Sequence, residues 1–215
     1  MSALQTVALV IFLVTLVQVI RSTDVREIWT SSSSRLAITN ATALVMLLWF
    51  LRLHTSLGPD IHFLMTGALT LTLGFRAATL SASLCLLVLC LAGQSQWVMI
   101  GVNGIAKVLL PIGITYIIFA LSWHKLPRNF LVYIFLCAFL PAALVLAISM
   151  LTLGGYYVLD DVYSAQAIID NYLMIIPLML FPEALLNGVA ITLLVIYKPE
   201  WVNTFHDKFY FDNDQ

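Results

Sequence analysis

Two ionisable side chains, those of Lys107 and Glu183, lie inside long apolar stretches of this 215-residue sequence. Asn103 precedes Lys107 by four residues, and Asn187 follows Glu183 by four. Residues four apart lie on one face of a helix. If both stretches are membrane-spanning helices, Lys107, Glu183 and Asn187 therefore predict a polar core inside the bundle. Ionisable residues at such a depth are costly, which makes them candidates for function.

Several uses of this polar core remain open. A Lys107–Glu183 ion pair would neutralise both charges and fix the register of two helices. A proton relay or a path for a cation would use the same groups, and polar side chains also join helices to one another in membranes. An enzyme that uses Glu183 with His62 has weaker support, because no HExxH, GxSxG, P-loop or dinucleotide-binding glycine pattern occurs. We therefore assign no catalytic or cofactor-binding residue and expect a protein that is not an enzyme.

The composition limits the class of protein. Hydrophobic residues make up 61% of the chain and charged residues 10%, and the mean hydropathy is +0.99. A soluble domain is about 45–50% apolar and about 25% charged. These values exclude a cytosolic enzyme, a nucleic-acid-binding domain and a disordered chain. They predict one integral membrane domain over residues 1–215, all-α and surrounded by the lipid bilayer.

Seven apolar segments are predicted to cross the membrane as a helical bundle. The third and fourth are short and are separated by Gly74-Phe75-Arg76, so we interpret them as two helices joined by a tight turn. Whether the third crosses completely stays open. The segments cover residues 3–20, 36–53, 61–73, 77–92, 98–121, 129–153 and 168–197.

The basic residues predict the orientation. If the amino terminus is outside and the carboxy terminus cytoplasmic, eight Lys and Arg residues fall on the inner side and Arg52 falls on the outer side. This distribution follows the positive-inside rule. Ala78 and Ala82 in the fourth segment have the spacing of small residues that lets helices pack closely, either within the chain or against a partner chain.

One block of the sequence resembles the CbiM/NikM family, the substrate-capture membrane subunits of cobalt and nickel energy-coupling-factor ABC transporters. The block begins with Gly58 and His62 and continues as Leu73-Gly74-Phe75-Arg76-Ala77-Ala78. It ends as Ile100-Gly101-Val102-Asn103. The resemblance is strongest over about residues 58–115, and the order of helices fits the whole chain.

The resemblance implies a permease subunit in the bacterial inner membrane that binds Co²⁺ or Ni²⁺ as its transported substrate and has no resident cofactor. Its partners would be a transmembrane coupling subunit and cytoplasmic ATPase subunits. The alternative is an integral membrane scaffold or assembly factor that retains the fold without transporting.

The resemblance also implies which groups hold the metal. Members of the family use nitrogen ligands from an amino terminus that begins Met-His and from a histidine that matches His62. This chain begins Met1-Ser2, so the resemblance is to a divergent member without the Met-His motif. The metal ligands that we assign are His62 and Asn103. Further donors considered for a divergent site are Glu183, Met65 and the terminal amine of Met1.

Overall fold

The computed structural model describes residues 1–23, 32–53, 58–125 and 129–205. The described residues form an all-α bundle, which confirms the predicted fold class. Six helices are long and apolar enough to cross a membrane. They are α1 (Ala3–Ser22), α2 (Ser32–Phe50), α3 (Thr66–Leu91), α4 (Trp97–Lys125), α5 (Phe130–Leu159) and α6 (Ala165–Tyr197).

Most helices begin earlier or end later than the apolar segments that predict them. Helix α1 begins at Ala3 as predicted, and there the Ser2 hydroxyl accepts a hydrogen bond from the Gln5 amide at 3.1 Å and the Gln5 side chain accepts one from the Ser2 amide at 2.9 Å. This reciprocal cap satisfies two backbone donors that a helix start leaves free. Hydropathy marks the apolar part of a helix and misses such polar first and last turns.

Helix α3 is a hairpin. At Gly74 the φ angle is 76° and the helix is interrupted, in a conformation that side-chain-bearing residues rarely adopt. A straight helix of this length would measure about 39 Å. Instead, Arg52 contacts both ends of the region, because its Nη1 lies 3.3 Å from the Asp60 carboxylate and 2.6 Å from the Gln94 carbonyl. The chain therefore reverses direction at Gly74.

This reversal gives the third crossing two parts. The entering segment, residues 58–65, is extended, and the short arm of α3, residues 66–73, is helical. The long arm, residues 75–91, then returns. The prediction of a helix over 61–73 is therefore wrong for residues 61–65. The amides of Leu64, Met65 and Ala68 find their acceptors on another helix, as described below.

Contacts between helices identify the two ends of the bundle. At the amino-terminal end, which holds the start of α1, the Gln5 side chain donates to the Tyr156 hydroxyl at the end of α5. At the opposite, carboxy-terminal end, Asn203 follows α6 and its amide donates to the Thr72 carbonyl at 2.9 Å. With the α3 hairpin counted as two passes, the described residues pass between these ends seven times.

Helices α4 and α5 each contain a wider π-helical turn. The turns cover Gly104–Leu109 and Ile134–Phe139, and each ends shortly before a proline, Pro111 or Pro141. Proline lacks the N–H that would continue the α-helical pattern, and the wider turn lies just before it in both helices. Such turns are frequent at functional sites, and the first of them contains Lys107.

The α3 hairpin lies at the centre and α1 at the periphery. Ala78 and Ala82 on the long arm are completely buried, so their small side chains serve packing inside this chain. Helix α1 contacts α4 most closely at Gly101, where an added Cβ would overlap the backbone nitrogen and Cα of Leu9. Backbone atoms cannot rotate away, so this crossing requires glycine.

Replacing Gly101 with alanine is expected to destabilise the fold by separating α1 from α4. Overpacking of this kind costs about 1–3 kcal/mol, which lowers Tm by about 2–12 °C in a chain of this size. Gly113→Ala on the same helix is the control, because an added Cβ there meets no atom within 4 Å. Thermal unfolding of both variants in detergent checks this, and equal Tm values would contradict the close crossing.

Candidate functional site

Glu183 stabilises the non-helical backbone that precedes the short arm. Its two carboxylate oxygens accept hydrogen bonds from the amides of Leu64 and Met65 at 2.9 and 2.8 Å. Met65 is the residue before the first helical turn and has a φ angle of 52°, and its own side chain caps nothing. Glu183 is completely buried. Its carboxylate, on a helix distant in the sequence, therefore supplies the missing cap at the positive end of the short arm.

Asn187 extends the same cap by one turn. Its Oδ1 accepts from the Ala68 amide at 2.7 Å, and its Nδ2 donates to Glu183 Oε1 at 2.9 Å. The spacing of four residues that marked Glu183 and Asn187 in the sequence therefore brings both side chains to one helix start. The pair satisfies backbone donors that have no access to water in a bilayer.

The other end of the short arm is also held by the chain around α6. The Thr204 amide and hydroxyl both donate to the Leu71 carbonyl, at 3.2 and 2.7 Å. The Thr204 hydroxyl also lies 2.7 Å from the Tyr133 hydroxyl of α5. The last carbonyls of the short arm thus find donors just before the chain turns at Gly74.

The predicted Lys107–Glu183 ion pair does not form. The carboxylate of Glu183 is occupied by two amides and by Asn187, and no ion pair joins it to Lys107. Lys107 instead borders a small cavity beside the entering segment. The sequence places both residues in apolar helices but contains no signal that a backbone segment lies between them.

A small cavity lies beside the entering segment. Its volume is about 10 Å³, which is the least room that holds one water molecule. Its apolar wall comes mainly from α5. Its polar wall is formed by Asp60, His62, Lys107, Ser149 and Tyr172. The structure therefore brings together two of the residues that the sequence analysis selected, His62 and Lys107.

His62 is buried, with 6% of its surface exposed, and its ring orientation is fixed. Nδ1 lies 3.0 Å from the Phe63 carbonyl oxygen. The ring also packs against Trp49, with 5.4 Å between ring centroids. Trp49 is completely buried and donates its indole N–H to the Leu64 carbonyl at 3.0 Å, so one side chain supports both the imidazole and the backbone beside it.

Three other proposed donors lie apart from His62. Asn103 donates to the Ser95 hydroxyl at 3.3 Å and does not line the cavity. Met1 is exposed at the start of α1. Met65 is buried in the larger core cluster, around the short arm. Within the described residues, no three His, Cys, Asp or Glu side chains are grouped so that they could hold a metal ion.

Sequence reasoning missed two supporting residues. Arg52 counted only as the single basic residue of the outer loops, yet its guanidinium joins Asp60, the Gln94 carbonyl and the Trp49 carbonyl. Trp49 had no role at all. The sequence did contain a signal for these two residues. Trp49 and Arg52 lie three residues apart at the end of an apolar segment, shortly before His62.

A larger cavity opens at the carboxy-terminal end. Its volume is about 720 Å³, and its walls surround the turn at Gly74. Arg76, Tyr116 and Asn203 contribute polar groups to it. The short arm therefore lies between two cavities, the small one at its amino-terminal side and the large one at its carboxy-terminal side.

Comparison with known proteins places this geometry in context. The family model described as "Cobalt uptake substrate-specific transmembrane region" matches residues 2–201. A crystal structure of a truncated transition metal transporter superposes with a TM-score of 0.73 at 16% identity, covering 91% of this chain and 93% of that one. A crystal structure of a transition metal transporter gives 0.72 at 17% identity, with 89% and 86% covered. These two likenesses show the fold. A search of curated proteins found no match.

Removing the Glu183 carboxylate is expected to destabilise the protein through the backbone. In Glu183→Ala two buried amides lose their acceptor, at about 1–3 kcal/mol each, whereas Glu183→Gln keeps one acceptor oxygen. We expect Tm to decrease in the order wild type, Gln, Ala, measured by thermal unfolding in detergent.

Glu200→Gln is the matched control, because Glu200 is half-exposed and pairs with Lys198 at 3.7 Å, and such surface pairs contribute about 0–1 kcal/mol. A Glu183→Gln variant as stable as wild type would contradict the capping role.

Proposed function

Because the chain belongs to the family of cobalt-uptake substrate-specific transmembrane regions, we propose that it is the substrate-capture membrane subunit of an energy-coupling-factor type transporter for a transition-metal cation of the cobalt or nickel class. The cation would enter at the amino-terminal end of the bundle and bind beside His62. The observation that carries this proposal is a buried imidazole facing a polar cavity at a break in a membrane crossing. Imidazole suits these ions.

The break itself supports a binding role. Non-helical backbone at membrane depth occurs where it is buried in protein or lines a cavity, and binding sites of membrane transporters are commonly built at such discontinuous helices. The entering segment meets both conditions, since Ile61, His62, Leu64 and Met65 are buried and His62 borders the cavity.

The remaining parts of the proposal concern the setting of the protein. Transport against a gradient needs an energy source, and the sequence contains no P-loop for ATP. A separate coupling subunit in the membrane and cytoplasmic ATPase subunits would supply it. The family resemblance favours the bacterial inner membrane as the location, and the basic residues favour an orientation with the amino terminus outside.

A scaffold or assembly factor with the same fold is the second candidate. It is favoured by the lack, among the described residues, of a group of three conventional metal-binding side chains. Co-purification separates the two candidates. We expect affinity purification from membranes to recover a coupling protein with ATPase subunits, whereas recovery of a different membrane complex without ATPases would support the scaffold.

Replacing His62 with alanine is expected to weaken binding of the transported ion. We expect the purified wild-type protein to bind Co²⁺ or Ni²⁺ saturably, and His62→Ala to raise Kd at least about tenfold. Isothermal titration with Co²⁺, Ni²⁺, Cu²⁺ and Zn²⁺ measures this.

His124→Ala is the control, because His124 is exposed near the end of α4. A folded wild-type protein that binds none of the four ions would overturn the transport proposal and leave the scaffold.

A further inference from the structure

A single peptide unit connects Glu183 to His62. The described residues contain no cis peptide bond, and a trans peptide unit is planar, with its C=O and its N–H pointing in opposite directions. In the unit that joins Phe63 to Leu64, the N–H donates to Glu183 Oε2 at 2.9 Å. The carbonyl oxygen of the same unit lies 3.0 Å from His62 Nδ1. The carboxylate and the imidazole therefore contact opposite ends of one rigid group.

The next peptide unit holds the first in place. It joins Leu64 to Met65, and its N–H donates to Glu183 Oε1 at 2.8 Å. Its carbonyl accepts from the Trp49 indole at 3.0 Å, and the Trp49 ring also packs against the imidazole. Both units thus have hydrogen bonds at their N–H and at their C=O, so neither unit rotates without breaking two of them.

The Phe63 carbonyl also determines the form of the imidazole. A carbonyl oxygen only accepts, so Nδ1 carries the ring proton in this contact and the neutral ring has its lone pair on Nε2. The hydrogen bond of one ring nitrogen determines in this way which nitrogen is free for a metal. Consecutive hydrogen bonds polarise one another, so donation of the N–H to the Glu183 carboxylate strengthens the carbonyl of the same unit as an acceptor.

We infer that Glu183 is a positioning residue for His62 and acts through the Phe63–Leu64 peptide unit. The carboxylate fixes the orientation of that unit, and the unit fixes the imidazole with its proton on Nδ1. Nε2 is then the nitrogen that ligates the transported ion. The role in metal binding rests on the proposed function, whereas the orientation of the ring does not.

Glu183→Gln tests the contact with Leu64 selectively. Asn187 Nδ2 donates at 2.9 Å to Oε1, the oxygen that also accepts from Met65. These two donors keep the oxygen of the glutamine amide at the Oε1 position, which places its NH₂ group against the Leu64 N–H. The variant therefore loses the hydrogen bond that orients the Phe63–Leu64 unit and keeps the other one.

Thr204→Val is the matched control. The Thr204 side chain is buried and donates to the Leu71 carbonyl at 2.7 Å, at the opposite end of the short arm. Its replacement removes a buried hydrogen bond and lowers stability, but it leaves the contacts of the entering segment intact.

The first measurement needs no metal. The full-length chain with ¹⁵N-labelled histidine is studied by NMR in detergent at about pH 8, where an ordinary histidine is neutral. The ¹⁵N shifts distinguish the protonated ring nitrogen from the unprotonated one, and His62→Ala identifies the His62 signals. We expect the proton on Nδ1 in wild type and in Thr204→Val, and a mixture of both tautomers in Glu183→Gln. A wild-type ring with its proton on Nε2 would overturn the inference without any substitution at Glu183.

The second measurement is the affinity for Ni²⁺ and Co²⁺ by isothermal titration. We expect Glu183→Gln to raise Kd at least about tenfold, as changes behind a metal-binding histidine do. Thr204→Val is expected to keep the wild-type Kd even though its Tm decreases. Thermal unfolding verifies that each variant is folded.

The outcomes separate this inference from the proposed function. If wild type binds metal and Glu183→Gln keeps both the wild-type tautomer and the wild-type Kd, the inference is overturned while the transport proposal stands. The inference is also overturned if Thr204→Val raises Kd as much as Glu183→Gln, because the effect is then a general loss of stability. If the folded wild type binds no metal, the transport proposal falls, and the tautomer still decides whether Glu183 positions the ring.

Discussion

A stretch of non-helical backbone inside an apolar bundle is the constraint on which this structure depends. Residues 58–65 enter the bundle extended, and lipid offers their N–H and C=O groups no partner. The protein supplies several of these partners from elsewhere: Glu183 accepts from two amides, Trp49 donates to a carbonyl, and Leu53 pairs with Ile61 through two backbone hydrogen bonds of 2.8 and 3.0 Å. An unsatisfied group there would cost about 1–3 kcal/mol.

This constraint gives the polar residues of the bundle two separate duties. Glu183 and Asn187 accept hydrogen bonds from the backbone of the entering segment and of the short arm. His62 and Lys107 border the small cavity. The first pair stabilises the broken crossing, and the second pair is not used for that purpose.

The sequence predicted the all-α membrane fold, because apolar runs of spanning length have few other solutions. It also predicted that Glu183 and Asn187 act on one face, since helical spacing is local. It failed where the partner was distant: nothing near Glu183 shows that it accepts from Leu64 and Met65, and charge alone suggested Lys107. Residues 61–65 were wrongly predicted to be helical, because a short apolar run has the same pattern in a helix and in a buried extended segment.

The short arm of α3 is attached at both of its ends to α6 and the residues that follow it. Three hydrogen bonds at its start and three at its end run to Glu183, Asn187 and the two residues after the last turn, Asn203 and Thr204. The short arm and α6 are therefore joined at both ends of the short arm. A displacement of α6 would displace the short arm with it, and the short arm lies between the two cavities.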